Sequence, residues 1–361
     1  MSPVRRARPF LVVFAGLLAM AFTVQAQGGR NPQPAGQPAA GAPAGQAPAD
    51  AGGRGGRGRG RGPQVNIFEN GDFTIAPGFT MATELFWDNN IPHGTVHRFT
   101  MKSQDSKIYP GLNGPYERPV AVYIPAQYVP GTAAPFMVVQ DGYSPKYHYN
   151  VPTALDKLIA DKKIPVMLAV LVHHGGGDGP GSERGLEYDT VSGKYAEFIE
   201  TEVLPRIERD YKVTFTKDPE GRATMGGSSG AAAALGMAWF HPEWYHRVLS
   251  YSGTFTNQAR PSTEIAPRGA WEYHATLIPN SERKPLRMWM EVAEFDNGNT
   301  RDESTWGNWV IANRHMAAAF KDKGYPYRFV YAEKATHTDI DVIVRTLPEA
   351  LQWLWQGYGG K

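Results

Sequence analysis

The 361-residue chain contains no cysteine. Disulfides, thiolate nucleophiles and cysteine-ligated metals are thereby excluded, and an oxidising compartment is tolerated without being exploited. Long apolar runs are also lacking. The longest stands near the start, where Arg5, Arg6 and Arg8 precede the apolar stretch 10–22 and then Val24-Gln25-Ala26. A basic start, an apolar core too short for a comfortable membrane span and small residues at its end read as a secretory signal peptide over 1–26, cleaved after Ala26. Residues 27–64 contain no aromatic and no Val, Leu, Ile or Met. With nothing to bury, this Gly/Pro/Ala/Arg-rich linker is expected to be disordered.

Positive charge is scarce in the remainder. The whole chain is formally +2; removing the three signal-peptide arginines and the linker's net +4 leaves about −5 on residues 65–361. Nucleic-acid binding by this part is not expected, although Arg54, Arg57, Arg59 and Arg61 among glycines give the linker itself a basic stretch. Residues 65–361 suffice for one large domain. Short apolar runs at 135–139 and 166–172, with strand patterns at 95–101, 118–124, 222–225, 247–252, 286–292 and 328–331, alternate with helical patterns at 151–161, 194–211, 231–240, 306–323 and 342–355. Continuous apolar runs are what strands buried on both faces look like. The order predicts an α/β fold, a mostly parallel central sheet with helices on both faces, entered through antiparallel strands and carrying its site at the carboxyl ends of the strands.

One turn carries the chemistry. Gly226-Gly227-Ser228-Ser229-Gly230 sets Ser228 in a Gly-x-Ser-x-Gly frame between a strand and a helix, a frame that exposes a serine Oγ on a strained turn. A serine hydroxyl is a poor nucleophile unless a base takes its proton and a carboxylate holds that base. Five histidines follow Ser228: His241, His246, His274, His315 and His337. The first two flank a helix end, His315 lies within a helical pattern and His274 in a long excursion. His337 stands in a loop just past a strand and before the last helix, which is where a base belongs in the order serine, acid, histidine. For the acid, Glu294 and Asp296 both leave the end of the 286–292 strand and point the same way in an extended chain. Periodicity does not separate them; the Asn297-Gly298 turn that follows favours Asp296. Backbone donors for a developing oxyanion are expected from Ser229 and from Gly142 or Tyr143.

The excursion 254–285 is expected to overhang the site, with Trp271, Tyr273 and His274 as candidate substrate contacts; the same aromatic residues fit a core equally well. His173-His174 followed by Gly175-Gly176-Gly177-Asp178-Gly179 lacks a convincing ligand set and a P-loop lysine, so it reads as a loop near the pocket rather than a metal or phosphate site. No metal or other cofactor is expected.

The residues Val122-Tyr123-Ile124-Pro125, Gln140-Asp141-Gly142, Arg184-Gly185-Leu186-Glu187-Tyr188, Glu202-Val203-Leu204-Pro205, Gly226 to Gly230, His241-Pro242-Glu243, Ser250-Tyr251-Ser252-Gly253 and the stretch ending at His337 occur in order. In this the chain resembles the Putative esterase branch of the α/β-hydrolases, which includes enterochelin esterases, feruloyl and acetyl-xylan esterases, S-formylglutathione hydrolases and mycolyltransferases. The resemblance spans about residues 91–358. It implies the α/β-hydrolase fold and a serine hydrolase of carboxylic esters, with nucleophile, acid and base falling on Ser228, Asp296 and His337. Ala231 and Thr336 stand where many relatives have glycine. Arg184 and Glu187 match a family motif and are read as a structural ion pair. The expected activity is that of an exported, periplasmic or secreted esterase acting on a small-molecule or oligosaccharide ester, of saccharide, phenolic-acid or siderophore type, or on a lactone. Acyl transfer through the same acyl-enzyme, or a non-catalytic envelope or carbohydrate-binding role on a hydrolase fold, are the alternatives. Nothing in the chain speaks to oligomeric state.

Overall fold

The computed structural model describes residues 66–143 and 150–360, which lie in one compact unit, Pro63–Lys361. The expected signal peptide, 1–26, and the expected linker, 27–64, fall outside the described residues. Among the described residues, no helix is long and apolar enough to cross a membrane.

Eleven strands are formed among these residues: β1 Gly71–Ile75, β2 Thr95–Lys102, β3 Glu117–Ile124, β4 Ala133–Ala134, β5 Phe136–Gln140, β6 Leu168–Val172, β7 Thr214–Phe215, β8 Arg222–Gly227, β9 Arg247–Tyr251, β10 Arg287–Phe295 and β11 Tyr327–Thr336. Nine build the central sheet in the order β1-β11-β10-β9-β8-β5-β6-β3-β2, while β4 and β7 pair separately. β3 runs antiparallel to both its neighbours, and every other pairing in the central sheet is parallel. This is the mostly parallel sheet that the pattern of apolar runs predicts.

The apolar runs become strands because they can be buried on both faces. All residues of β5, β6, β8 and β9 are buried. Successive side chains point to opposite faces, so Phe136 and Val138 join one apolar layer while Met137 and Val139 join the other. The first layer is completed by α2 Lys194–Phe198, α3 Leu204–Tyr211, α4 Ser229–Phe240 and α6 Trp309–Asp322. The second is completed by α1 Val151–Ala160 and α7 Ile340–Trp355. α4 is apolar on every side, and all its residues but Phe240 are buried, as a helix without a polar face must be.

Two of the three π turns among the described residues have a common cause. The 194–211 helix forms, but with a π turn at Ile199–Val203 ahead of Pro205. A second π turn, Tyr273–Leu277, leads into the short α5 Ile278–Asn280 ahead of Pro279. Proline lacks the N–H for the ladder and its ring crowds the carbonyl four residues back; a wider turn relieves both. β1 has no counterpart in the sequence reading, where its segment is only a polar entry. Its half-exposed pattern is that of an edge strand, and it pairs along β11 from Gly71 with Arg328 to Ile75 with Ala332.

Candidate active site

Parallel strands bring their carboxyl ends to one edge of the sheet, and the polar residues that leave those ends meet there. β8 ends at Gly227 and α4 begins at Ser229. Ser228 between them has φ 55° and ψ −128°, a conformation that costs a non-glycine residue on the order of 1–3 kcal/mol. The surroundings enforce it: Ser228 N–H donates to the Tyr251 carbonyl at 2.9 Å, and the Ser228 carbonyl accepts from Ala231 at 3.0 Å and Thr254 at 3.1 Å. The two outer glycines of the motif are sterically required. A Cβ on Gly226 would lie 2.2 Å from the Gly230 carbonyl carbon, and one on Gly230 would lie 2.9 Å from Asp141 Oδ2.

β11 runs out to Thr336, so His337 follows the strand directly. The turn is fastened by Asp339, whose Oδ2 accepts from Thr336 N–H at 3.1 Å and whose Oδ1 caps α7 through Asp341 N–H at 3.1 Å. The Thr336 hydroxyl adds a second, longer bond to Asp339 Oδ2, at 3.4 Å. His337 Nε2 lies 2.9 Å from Ser228 Oγ, and His337 Nδ1 lies 2.5 Å from Asp296 Oδ1. The Asp296 carboxylate is 2% exposed; it also accepts from Asn297 N–H at 2.7 Å and Ala293 N–H at 3.4 Å. A carboxylate accepts only, so Nδ1 carries the proton and Nε2 faces Ser228 as an acceptor.

Glu294 does not reach the histidine. The pairing of β10 with β11 shifts register between Ala293 and Phe295, which ends the simple alternation that would aim Glu294 and Asp296 alike. Glu294 Oε2 instead accepts from the Lys334 N–H at 2.7 Å. A further carboxyl, Glu291 on β10, is buried with Oε1 unpaired. Burial first, and then the nearby Asp296 charge, push it well above the usual carboxylate range.

Two residues missed by the sequence reading bear on the serine, Thr254 directly and Trp309 through it. Thr254 Oγ1 is 3.3 Å from Ser228 Oγ and 3.2 Å from Trp309 Nε1. An indole N–H only donates, so Thr254 accepts from Trp309 and keeps its own proton for Ser228 Oγ. The serine's proton is then left to point at His337. Thr254 follows the end of a parallel strand, which was a usable signal; Trp309 had none.

The serine opens into a cavity of about 430 Å³. One part of its wall comes from the 173–184 segment, with His173, His174, Asp178 and Arg184, together with Asp141 just past the end of β5. Arg184 Nε donates to Asp141 Oδ1 at 3.0 Å and its NH1 to Asp178 at 3.2 Å; burial works against its charge, and Asp141 outweighs burial. Burial lowers both histidines, assisted by Arg184 and opposed by Asp141, His174 to about 4. The wall therefore offers neutral imidazoles and a neutralised arginine at ordinary pH.

A family model described as Putative esterase matches residues 114–353. The chain belongs to this family. It is thereby a carboxylic-ester hydrolase. A ferulic acid esterase structure superposes with TM-score 0.55 at 19% identity, covering 74% of this chain and 100% of that one. The enterobactin esterase of Shigella flexneri, solved in the presence of enterobactin, superposes with TM-score 0.54 at 18% identity over 74% of this chain and 61% of that one. The chain thus spans about three fifths of that enzyme. A feruloyl esterase module from Clostridium thermocellum complexed with sinapinate gives 0.51 at 14% identity, over 81% and 96%. At such identities the likeness is one of fold. No curated protein matches the chain.

Within this esterase, several sequence expectations need correction. Arg184 and Glu187 do not pair with each other: Glu187 holds Arg118 at 2.6 Å, both buried, while Arg184 holds Asp141. Tyr273 is 1% exposed and packs edge-on against Trp239 and Phe255, so it is core. Trp271 and His274 line a different concavity, shared with His315 and Glu303. The π turn before Pro279 carries this segment down onto α6 rather than over Ser228. The excursion reaches the site instead through Thr254 and Gln258. Ser229 opens α4, where the helix leaves its N–H without an intrahelical acceptor. Gly142 has φ 71° and sits against His173, whose Cδ2 would lie 2.6 Å from a Cβ there. The Tyr143 ring packs under the Arg98 guanidinium, 4.6 Å away.

Proposed function

We propose that this esterase is an exported serine hydrolase in which Ser228 is the nucleophile, His337 the general base and acid, and Asp296 the carboxylate that orients the imidazole. The continuous contact from Asp296 through His337 to Ser228 Oγ, at 2.5 and 2.9 Å, carries the reading. His337 Nε2 takes the serine proton as Oγ attacks the ester carbonyl. The tetrahedral oxyanion is received by the Ser229 N–H and by an N–H of Gly142 or Tyr143. Collapse breaks the ester bond, and His337 returns its proton to the departing alcohol. Water then repeats the sequence on the acyl-enzyme and releases the acid. Asp296, buried against the imidazole, stabilises the imidazolium in both halves.

The signal-peptide pattern supports a periplasmic or secreted location. The roomy, polar cavity supports a saccharide, phenolic-acid or siderophore-type ester or lactone as substrate. A fluorophosphonate probe tests the nucleophile: it should label wild type at Ser228 and leave Ser228→Ala unlabelled, while Ser229→Ala still reacts. Labelling confined to another serine overturns the assignment. A panel of acetyl and feruloyl sugars, p-nitrophenyl esters and a catecholate trilactone then ranks the substrate classes.

A further inference from the structure

Beside the serine lies a second polar cluster that the chemistry above does not use. Asp189, the last residue of the π turn Gly185–Asp189, is 2% exposed. Gln258 Nε2 stands 3.4 Å from Asp189 Oδ2 and 3.4 Å from Ser229 Oγ. A carboxylate accepts only, so Asp189 selects the NH2 end of the glutamine amide, and Ser229 Oγ accepts from the same end. The Gln258 oxygen is therefore turned the other way. Gln258 lines the cavity at Ser228, and among the described residues no group donates to its Oε1. Arg184, on the same wall, is already consumed by Asp141 and Asp178.

From this orientation we infer that Gln258, held by Asp189, is a specificity-determining residue: its Oε1 accepts a hydrogen bond from a hydroxyl or N–H of the substrate close to the scissile ester. The inference rests on Ser228 being the nucleophile. Asp189 keeps Oδ1 buried without a donor. Such incomplete satisfaction is unusual for a carboxylate kept only for packing and is expected where function overrides stability.

Two matched ester pairs test it, one with the donor on the acyl side, methyl lactate against methyl 2-methoxypropionate, and one with it on the alcohol side, 2-hydroxyethyl acetate against 2-methoxyethyl acetate. Wild type should favour the hydroxyl member of at least one pair by about tenfold or more in kcat/KM, because blocking the donor leaves a desolvated acceptor unpaired. Gln258→Leu should bring that ratio close to one. Asp189→Asn, whose amide can donate to Gln258 Oε1, frees the glutamine to turn over and should move the ratio toward the methoxy member. A merely structural role would lower both rates together and leave the ratio intact. Equal rates on both members of both pairs in wild type, or an unchanged ratio in Gln258→Leu, overturn the inference. Those outcomes with Ser228→Ala inactive leave the nucleophile assignment standing; full activity in Ser228→Ala overturns the nucleophile instead.

Discussion

Replacing Asp296 by asparagine is the sharpest test of the site, because Glu294 is the rival acid two residues away. In Asp296→Asn the amide keeps the shape and removes the charge. Asp296 Oδ1 accepts both His337 Nδ1–H and Asn297 N–H, at 2.5 and 2.7 Å. The asparagine oxygen is favoured in that position, since turning the amide over would set its NH2 against two donors. The tautomer is then retained and the loss is that of the charge facing the imidazolium. At a charge separation of about 4 Å and an effective dielectric constant of about 20 this is about 4 kcal/mol, or about a thousandfold in kcat. An amide that does turn over imposes the wrong tautomer as well, and the loss approaches about ten-thousandfold. Glu294→Gln keeps an oxygen acceptor for the Lys334 N–H and should lose no more than about threefold, the scale of one solvent-exposed hydrogen bond. Both variants are assayed for kcat and kcat/KM on one ester, with folding checked by circular dichroism. A loss below about tenfold in Asp296→Asn, or an equal loss in Glu294→Gln, refutes the reasoning.

The other histidines and neighbours give further tests. His337→Ala should lose several orders of magnitude in kcat/KM, whereas His315→Ala, 3.7 Å from Glu303 in the other concavity, should lose little; equal losses would contradict the assignment of the base. Thr254→Val removes the hydroxyl that directs the serine proton while nearly keeping side-chain volume, and should lower kcat by about tenfold with KM little changed; an unaltered kcat would remove Thr254 from the mechanism. Burial pushes the Asp189 carboxyl from 3.8 up to about 6. A folded-state value above the unfolded one means that its contribution to stability is full below about pH 4 and is lost as pH rises through 6, by about 3 kcal/mol. Asp189→Asn should therefore melt several degrees above wild type at pH 8, with the gap closing toward pH 4, and a variant less stable than wild type at pH 8 contradicts this.

The sheet was legible because its strands are short apolar runs whose burial on both faces leaves no other reading, and the order of Ser228, Asp296 and His337 could be read from where each leaves such a run. Side-chain neighbours set by irregular backbone could not. Glu294 and Asp296 look equivalent until the register shift after Ala293 separates them. Trp271, Tyr273 and His274 carry the residue types of a binding site but are drawn into the core or another concavity by the turn before Pro279. Thr254 and Gln258 come from the start of the excursion and Asp189 from a separate segment some 65 residues upstream, so only the folded chain brings them together at Ser228. β1 escaped because an edge strand need bury only alternate residues, and five residues are too few to show that period.

That edge strand ties the two ends of the domain to the chemistry. β11 is held on one side by β10 and on the other by β1 alone, through Gly71 to Ile75, and it ends one residue before His337. His337, the proposed general base, is therefore moored by a segment more than 250 residues upstream, next in sequence to the glycine-rich linker. Among the described residues the ladder begins at Gly71, and the Asn66 and Glu69 carbonyls ahead of it already accept from Arg328 of β11. Trimming or tension that peels β1 away would bare the edge of β11 and let the histidine drift from the serine while the rest of the sheet stays folded. The foot of the linker is thus a boundary for protein engineering as well as a place in the chain.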